Sequence, residues 1–145
     1  MQDRPSIHEL LVAIERFLVE EIVPATDGRR QFLARVAANT LRLMDRELAG
    51  ADAHLAREWS GLDALLGEES LPEGAEPRRS ACRRRTEELC ERIRRGEADL
   101  EGDFRRRVLA HLRVTVRDKL SVTNVAYLEA DERRGKERGR GPVEP

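Results

Sequence analysis

The chain has 145 residues, 39% of them hydrophobic and 38% charged, with a formal net charge of -1. That length supports one domain with a real core. The near-neutral balance argues against a generally cationic nucleic-acid binder, and no apolar run approaches the roughly 20 residues of a membrane span. Aromatic residues are only 3% of the chain, so Leu, Val, Ile and Ala must build the interior, a mixture that favours helices over strands.

Taken in order, Ser6 and Glu9 form a capping-box pattern at a helix start. Ile7, Leu10, Leu11, Ile14, Phe17, Leu18 and Ile22 then recur at helical spacing. Pro24 and Gly28 close this first helix near Val23 and turn the chain back, so that helices one and two form an antiparallel hairpin. The second helix runs to about Ala49, with Gly50 as its C-terminal cap. Phe32, Val36, Ala37, Leu41, Leu43, Met44 and Leu48 spread over half its circumference, which predicts a central, buried helix with neighbours on two sides.

A third helix is expected from Asp52 to Leu66, carrying Leu55, Trp59, Leu62 and Leu65, with Gly61 a weak point inside it. The Pro- and Gly-rich stretch 67–80 reads as a loop. A fourth helix, about Ser80 to Arg95, presents a thin apolar line of Cys82, Thr86, Leu89 and Ile93. A fifth follows Asp103, with Phe104, Val108, Leu109, Leu112, Val116 and Leu120. From Glu129 onward no apolar periodicity remains, and the charged segment 129–145 is expected to be disordered. The reading is therefore an all-α, single-domain bundle of about five helices over 1–128, followed by a tail.

Chemistry is sparse. His8, His54 and His111 are far apart, and neither a His-Glu-x-x-His nor a Cys-x-x-Cys pair is present, so no metal site is expected. Cys82 and Cys90 stand eight residues apart on one helix, about 12 Å along its axis, too far for a disulfide with each other. There is no Gly-rich phosphate loop or nucleophile elbow, and the sequence offers no catalytic residues and no cofactor motif. His111 reads either as a packing histidine at the edge of an apolar arc or as a base. The arginines between Arg78 and Arg95 are interleaved with Glu87, Glu88 and Glu91 and lack stacking aromatics, so they read as a solvated face rather than a nucleic-acid track. The N-terminal MQDRPSIHELL has an acid and a proline where a signal peptide needs basic and apolar regions, so a cytoplasmic protein is expected.

One polar group stands out. Arg35, Asn39, Arg42 and Arg46 are spaced by four, three and four residues on one face of the second helix. Two readings are open: Asn39 satisfies a buried backbone group while the arginines pair with nearby acids, or the stripe faces a protein partner, where Arg is favoured over Lys.

Arg4-Pro5, Glu9-Leu10-Leu11, Phe17-Leu18, Pro24, Gly28, Phe32, Arg35-Val36-Ala37-Ala38-Asn39 and Arg46-Glu47 resemble the N-terminal signature of a small bacterial family, domain of unknown function 6285. Leu112, Val116, Lys119-Leu120, Asn124 and Tyr127-Leu128 resemble its C-terminal signature, with Val125 where proline is expected after the asparagine. The resemblance brings no catalytic residues. It implies a context: genes beside a kinase of the aminoglycoside-phosphotransferase fold and an acyl-CoA dehydrogenase-like enzyme, the kinase phosphorylating hydroxyacyl-CoA compounds. By analogy it implies a non-catalytic accessory subunit that binds and activates or stabilises that kinase in acid catabolism. The alternative is a self-associating helical structural protein, for which a homodimer is the simplest form.

Overall fold

A computed structural model describes residues 4–139. All regular structure among them is helical, with five helices of 11 residues or more: α1 (Ile7–Phe17), α2 (Gly28–Leu66), α3 (Ala75–Arg94), α4 (Asp103–Thr123) and α5 (Val125–Gly139). The all-α class is as expected, but the five helices are not the same five. The chain also divides into two compact units between Gly50 and Ala51, where one domain over 1–128 was expected.

The first unit is a helical hairpin. Ser6 and Glu9 make the reciprocal capping box, Ser6 Oγ accepting from the Glu9 N–H at 3.2 Å and the Glu9 carboxylate from the Ser6 N–H at 2.7 Å. Beyond Phe17 the backbone widens into a π-helical turn, Leu18–Ile22, and returns to a last α turn, Val23–Ala25. Pro24 accounts for the widening. Its ring cannot follow a regular turn and it lacks an N–H, while the Val23 N–H reaches five residues back to the Leu18 carbonyl. The Gln31 side-chain amide then donates to the Val23 and Thr26 carbonyls at 3.0 and 3.1 Å, tying the end of this helix to the start of α2.

Helices two and three of the sequence reading are one helix, α2, of 39 residues. Gly50 does not cap it. A single interior glycine costs about 1 kcal/mol, and Ala49, Ala51 and Ala53 around it are the best helix formers available. The expectation that 32–48 is centrally buried is also corrected. The buried residues of that stretch are Ala34 and Ala38, whereas Phe32 is 64% exposed and Leu48 55%. Small alanines allow the close approach of the hairpin partner that a row of large side chains would block.

The second unit is a bundle of the end of α2 with α3, α4 and α5. Trp59, Leu62 and Leu65 of α2, Cys82 and Leu89 of α3 and Val108 of α4 form its core, with Leu55, Ile93 and Phe104 packed around them. Gly61 lies inside α2 against the His111 imidazole: a Cβ there would clash with His111 Nδ1. The glycine that weakens the helix is what lets α4 approach. Helix α3 starts at Ala75, earlier than expected, since Pro77 falls in its first turn where no N–H is required. The tail is corrected as well. Residues 125–139 form α5, which begins when Asn124 Oδ1 accepts from the Tyr127 N–H at 3.1 Å. Val125 occupies the first helical position, the place that proline suits in the family signature. Arg117 of α4 pairs with Glu132, and α5 packs along α4. Residues 140–145 of the expected tail lie outside the described residues.

The carboxyl end of α2 carries the densest polar cluster. Three arginines from other helices donate to carbonyls there: Arg107 to Ala64 at 2.7 Å and Arg92 to Leu65 at 3.1 Å within the last turn, and Arg85 to Gly67 just beyond it. Arg85 is 2% exposed, pairs with Asp63, and stacks over Trp59 with its guanidinium carbon 4.7 Å from the ring centre. Arg92 lies over Phe104 at 4.5 Å. The loop is held from the same side, by Asp63 to the Glu69 N–H and by Arg78 to the Pro72 carbonyl.

Two substitutions test this packing. Replacing Arg85 by Met leaves Asp63 without its partner and is expected to cost about 3 kcal/mol, read by urea unfolding followed by the fluorescence of Trp59, the single tryptophan. Gly61→Ala should lower the melting temperature despite its better helix propensity, whereas Gly135→Ala, with open space at its Cβ, should raise stability by up to about 1 kcal/mol. Equal effects at the two glycines would contradict the close His111 contact.

Candidate interaction surface

The hairpin pairs in an antiparallel sense, fixed by three cross-connections. Gln31 meets Val23 near the turn, Arg42 donates to Glu15 at 2.6–2.7 Å, and His8 Nδ1 lies 2.6 Å from Asp45. At 3.6 residues per turn, the line Ala34–Ala38–Leu41–Asp45 is the side of α2 that meets α1, and Leu11, Glu15 and Leu18 the side of α1 that meets α2. The Arg42–Glu15 pair then shows which flanks of the two helices share a side.

On that side lie Arg35, Asn39, Arg42 and Arg46, so the structure keeps the sequence-derived stripe together on one face. Its members differ. Arg42 is engaged within the hairpin by Glu15. Arg35 and Asn39 are exposed and make no side-chain hydrogen bond among the described residues. Arg46 is half-buried, with an Nε that finds no acceptor there. Asn39 therefore does not satisfy a buried backbone group, which removes one of the two readings of that residue.

The opposite side of the hairpin is apolar on both helices. Ile7, Leu10, Ile14 and Phe17 of α1 stand beside Leu33, Met44 and Leu48 of α2, all exposed. Sequence periodicity flagged every one of these residues except Leu33, but read them as core. A hydrophobic stripe has the same spacing whether its partner is another part of the chain or another molecule.

The second unit offers an open groove of about 440 Å³ floored by Leu55, Cys82, Thr86 and Cys90, with Arg83, Arg94 and Lys119 at its rim beside Glu58 and Glu87. Both cysteines are free thiols. Burial, helped by the nearby Glu58, pushes the Cys82 thiol up to about 11, so it stays protonated at neutral pH and is a poor nucleophile. His111, buried against Gly61, is pushed below the ordinary histidine range by burial, with Glu58 opposing the shift. No group of three or more His, Cys, Asp or Glu side chains among the described residues is placed to hold a metal ion. No helix there is long and apolar enough to cross a membrane.

An all-helical protein, with a hairpin exposing one apolar and one arginine-bearing face, is the class these features define. The chain belongs to the family described as Domain of unknown function (DUF6285), whose family model matches residues 24–127. No curated protein and no solved structure matches it.

The depressed His111 has a consequence for stability. Above the unfolded-state value near 6.5 both states carry a neutral imidazole. As the pH falls through that value the unfolded chain takes up a proton that the folded one resists, so stability is lost on acidification. Chemical denaturation at pH 7.5 and 5.5 should show this loss in the native chain and a smaller one in His111→Gln; an identical loss in both would contradict it.

Proposed function

We propose that this chain is a non-catalytic accessory subunit, cytoplasmic, which binds and activates or stabilises a kinase of the aminoglycoside-phosphotransferase fold acting on hydroxyacyl-CoA in acid catabolism. Family membership supports the reading through the context that the resemblance implies, a kinase of that fold and an acyl-CoA dehydrogenase-like enzyme encoded nearby. The observation that carries it is the exposed arginine-bearing face of the hairpin. Arg35 and Asn39 stand on it with unused hydrogen-bonding capacity, beside the half-buried Arg46. Arginine presents a planar fork of donors suited to carboxylates on a partner surface. Arg42 contributes differently, since its bond to Glu15 braces the face rather than reaching outward.

The chemistry then belongs to the kinase and the contact to Arg35, Asn39 and Arg46. Affinity capture of the tagged chain from its native cells, with co-eluting proteins identified by mass, should yield such a kinase in stoichiometric amount. In the purified pair, Arg35→Glu should weaken association about tenfold or more while leaving the circular dichroism spectrum unchanged. Capture without the kinase, or no association of the purified pair at about 10 µM, would overturn the proposal; unchanged affinity in Arg35→Glu would remove this face as the contact.

A further inference from the structure

The hairpin's apolar face is a different surface from the arginine-bearing one, and we infer that a second copy of this chain covers it, two hairpins meeting face to face as a four-helix bundle. The first argument is area. The seven exposed side chains of this face, Ile7 (66%) and Phe17 (54%) among them, leave on the order of 700 Å² of apolar surface per copy, against about 800 Å² per partner in a standard stable interface. The largest apolar patch of a typical monomer is only about 300–600 Å². The hairpin is also two helices thick, and a pair of helices buries its remaining apolar stripe efficiently against another such pair.

The second argument is charge. A two-fold interface is self-complementary, so the same patch must carry both halves of every ion pair. The rim of this face does. Glu21 stands on the π-helical turn that follows α1, and helical spacing sets Arg29 and Glu47 at the outer edge of α2, one near each end of the hairpin stretch. All three are exposed, and none makes an ion pair among the described residues. With α1 laid over the partner's α2, Glu21 of each copy comes level with Arg29 of the other. With α2 laid antiparallel over α2, Arg29 comes level with Glu47. Either arrangement brings opposite charges together and leaves the arginine-bearing faces outward. A different protein as occupant has no such signature on the surface, because nothing then requires both signs on one rim.

The test uses the full chain in isolation, so it does not depend on the kinase. Light scattering coupled to size exclusion, with sedimentation equilibrium from about 1 to 100 µM, should give a mass twice the chain's 16.5 kDa. The double variant Ile14→Glu, Leu33→Glu should be monomeric while the core around Leu62 and Leu89 stays folded, read by the Trp59 fluorescence. Should that variant lose structure, rim charges give a second reading. Arg29→Glu alone should weaken the dimer several-fold, and adding Glu21→Arg or Glu47→Arg in the same chain should restore it. Rescue by the first places α1 over α2, and rescue by the second places α2 over α2. A monomer mass for the native chain at 100 µM, a dimer untouched by both sets of substitutions, or rescue by neither reversal would overturn the inference.

Discussion

The second unit depends on how α2 ends. The last four carbonyls of any helix lack partners within it and carry the negative end of its dipole. Here that end lies beside the core formed by Trp59, Leu62 and Leu65, where water is a poor substitute, and three guanidinium groups from α3 and α4 take its place. The arrangement links backbone satisfaction to packing. Arg85 and Arg92 lie over Trp59 and Phe104 while donating to the Gly67 and Leu65 carbonyls, so the aromatic residues, the helix end and the neighbouring helices share one set of contacts. Burying Arg85 is tolerable because Asp63, the Gly67 carbonyl and the Trp59 ring all meet it. The same cluster holds the loop after Leu66, since Asp63 also accepts from the Glu69 N–H and Arg84 keeps the Glu69 carboxyl below its usual range.

What could be read from the chain alone follows from how local each signal is. The Ser6–Glu9 capping box, the turn after Pro24 and the apolar line of α3 are properties of a few adjacent residues, and they appear where expected. Gly50 misled because a glycine's cost can be outvoted by the alanines around it, although the division between compact units does fall there. Gly61 looked like a flaw because its reason, the His111 ring, sits fifty residues away. Residues 129–139 lack a hydrophobic period, yet a cap at Asn124, good helix formers and the Arg117–Glu132 pair make a helix of them. The three arginines at the end of α2 were visible only as charge within mixed, solvated-looking stretches.

The candidate site was half legible. Spacing alone put Arg35, Asn39, Arg42 and Arg46 on one face, but it could not tell that Glu15 engages Arg42 while Asn39 points to no backbone group. The breadth of the apolar arc on α2 suggested neighbours on two sides, whereas within the first unit only the Ala34–Ala38 line is buried. It could not say that Ala34 and Ala38, rather than the large side chains, meet α1, leaving the large ones exposed. In the resulting division of labour, the alanine line closes the hairpin, one flank carries hydrogen-bonding arginines, and the other carries apolar area. A hairpin with so little large-residue packing of its own gains most of its stability from whatever covers that second flank.

Amide hydrogen exchange followed by mass spectrometry at low and high protein concentration reads that dependence residue by residue. Protection in α1 and in residues 28–48 of α2 should rise with concentration, while the core amides around Leu62 and Leu89 exchange slowly and at a rate independent of it. Strong protection of the hairpin amides that does not change between about 1 and 100 µM would show instead that the hairpin is stable without a cover.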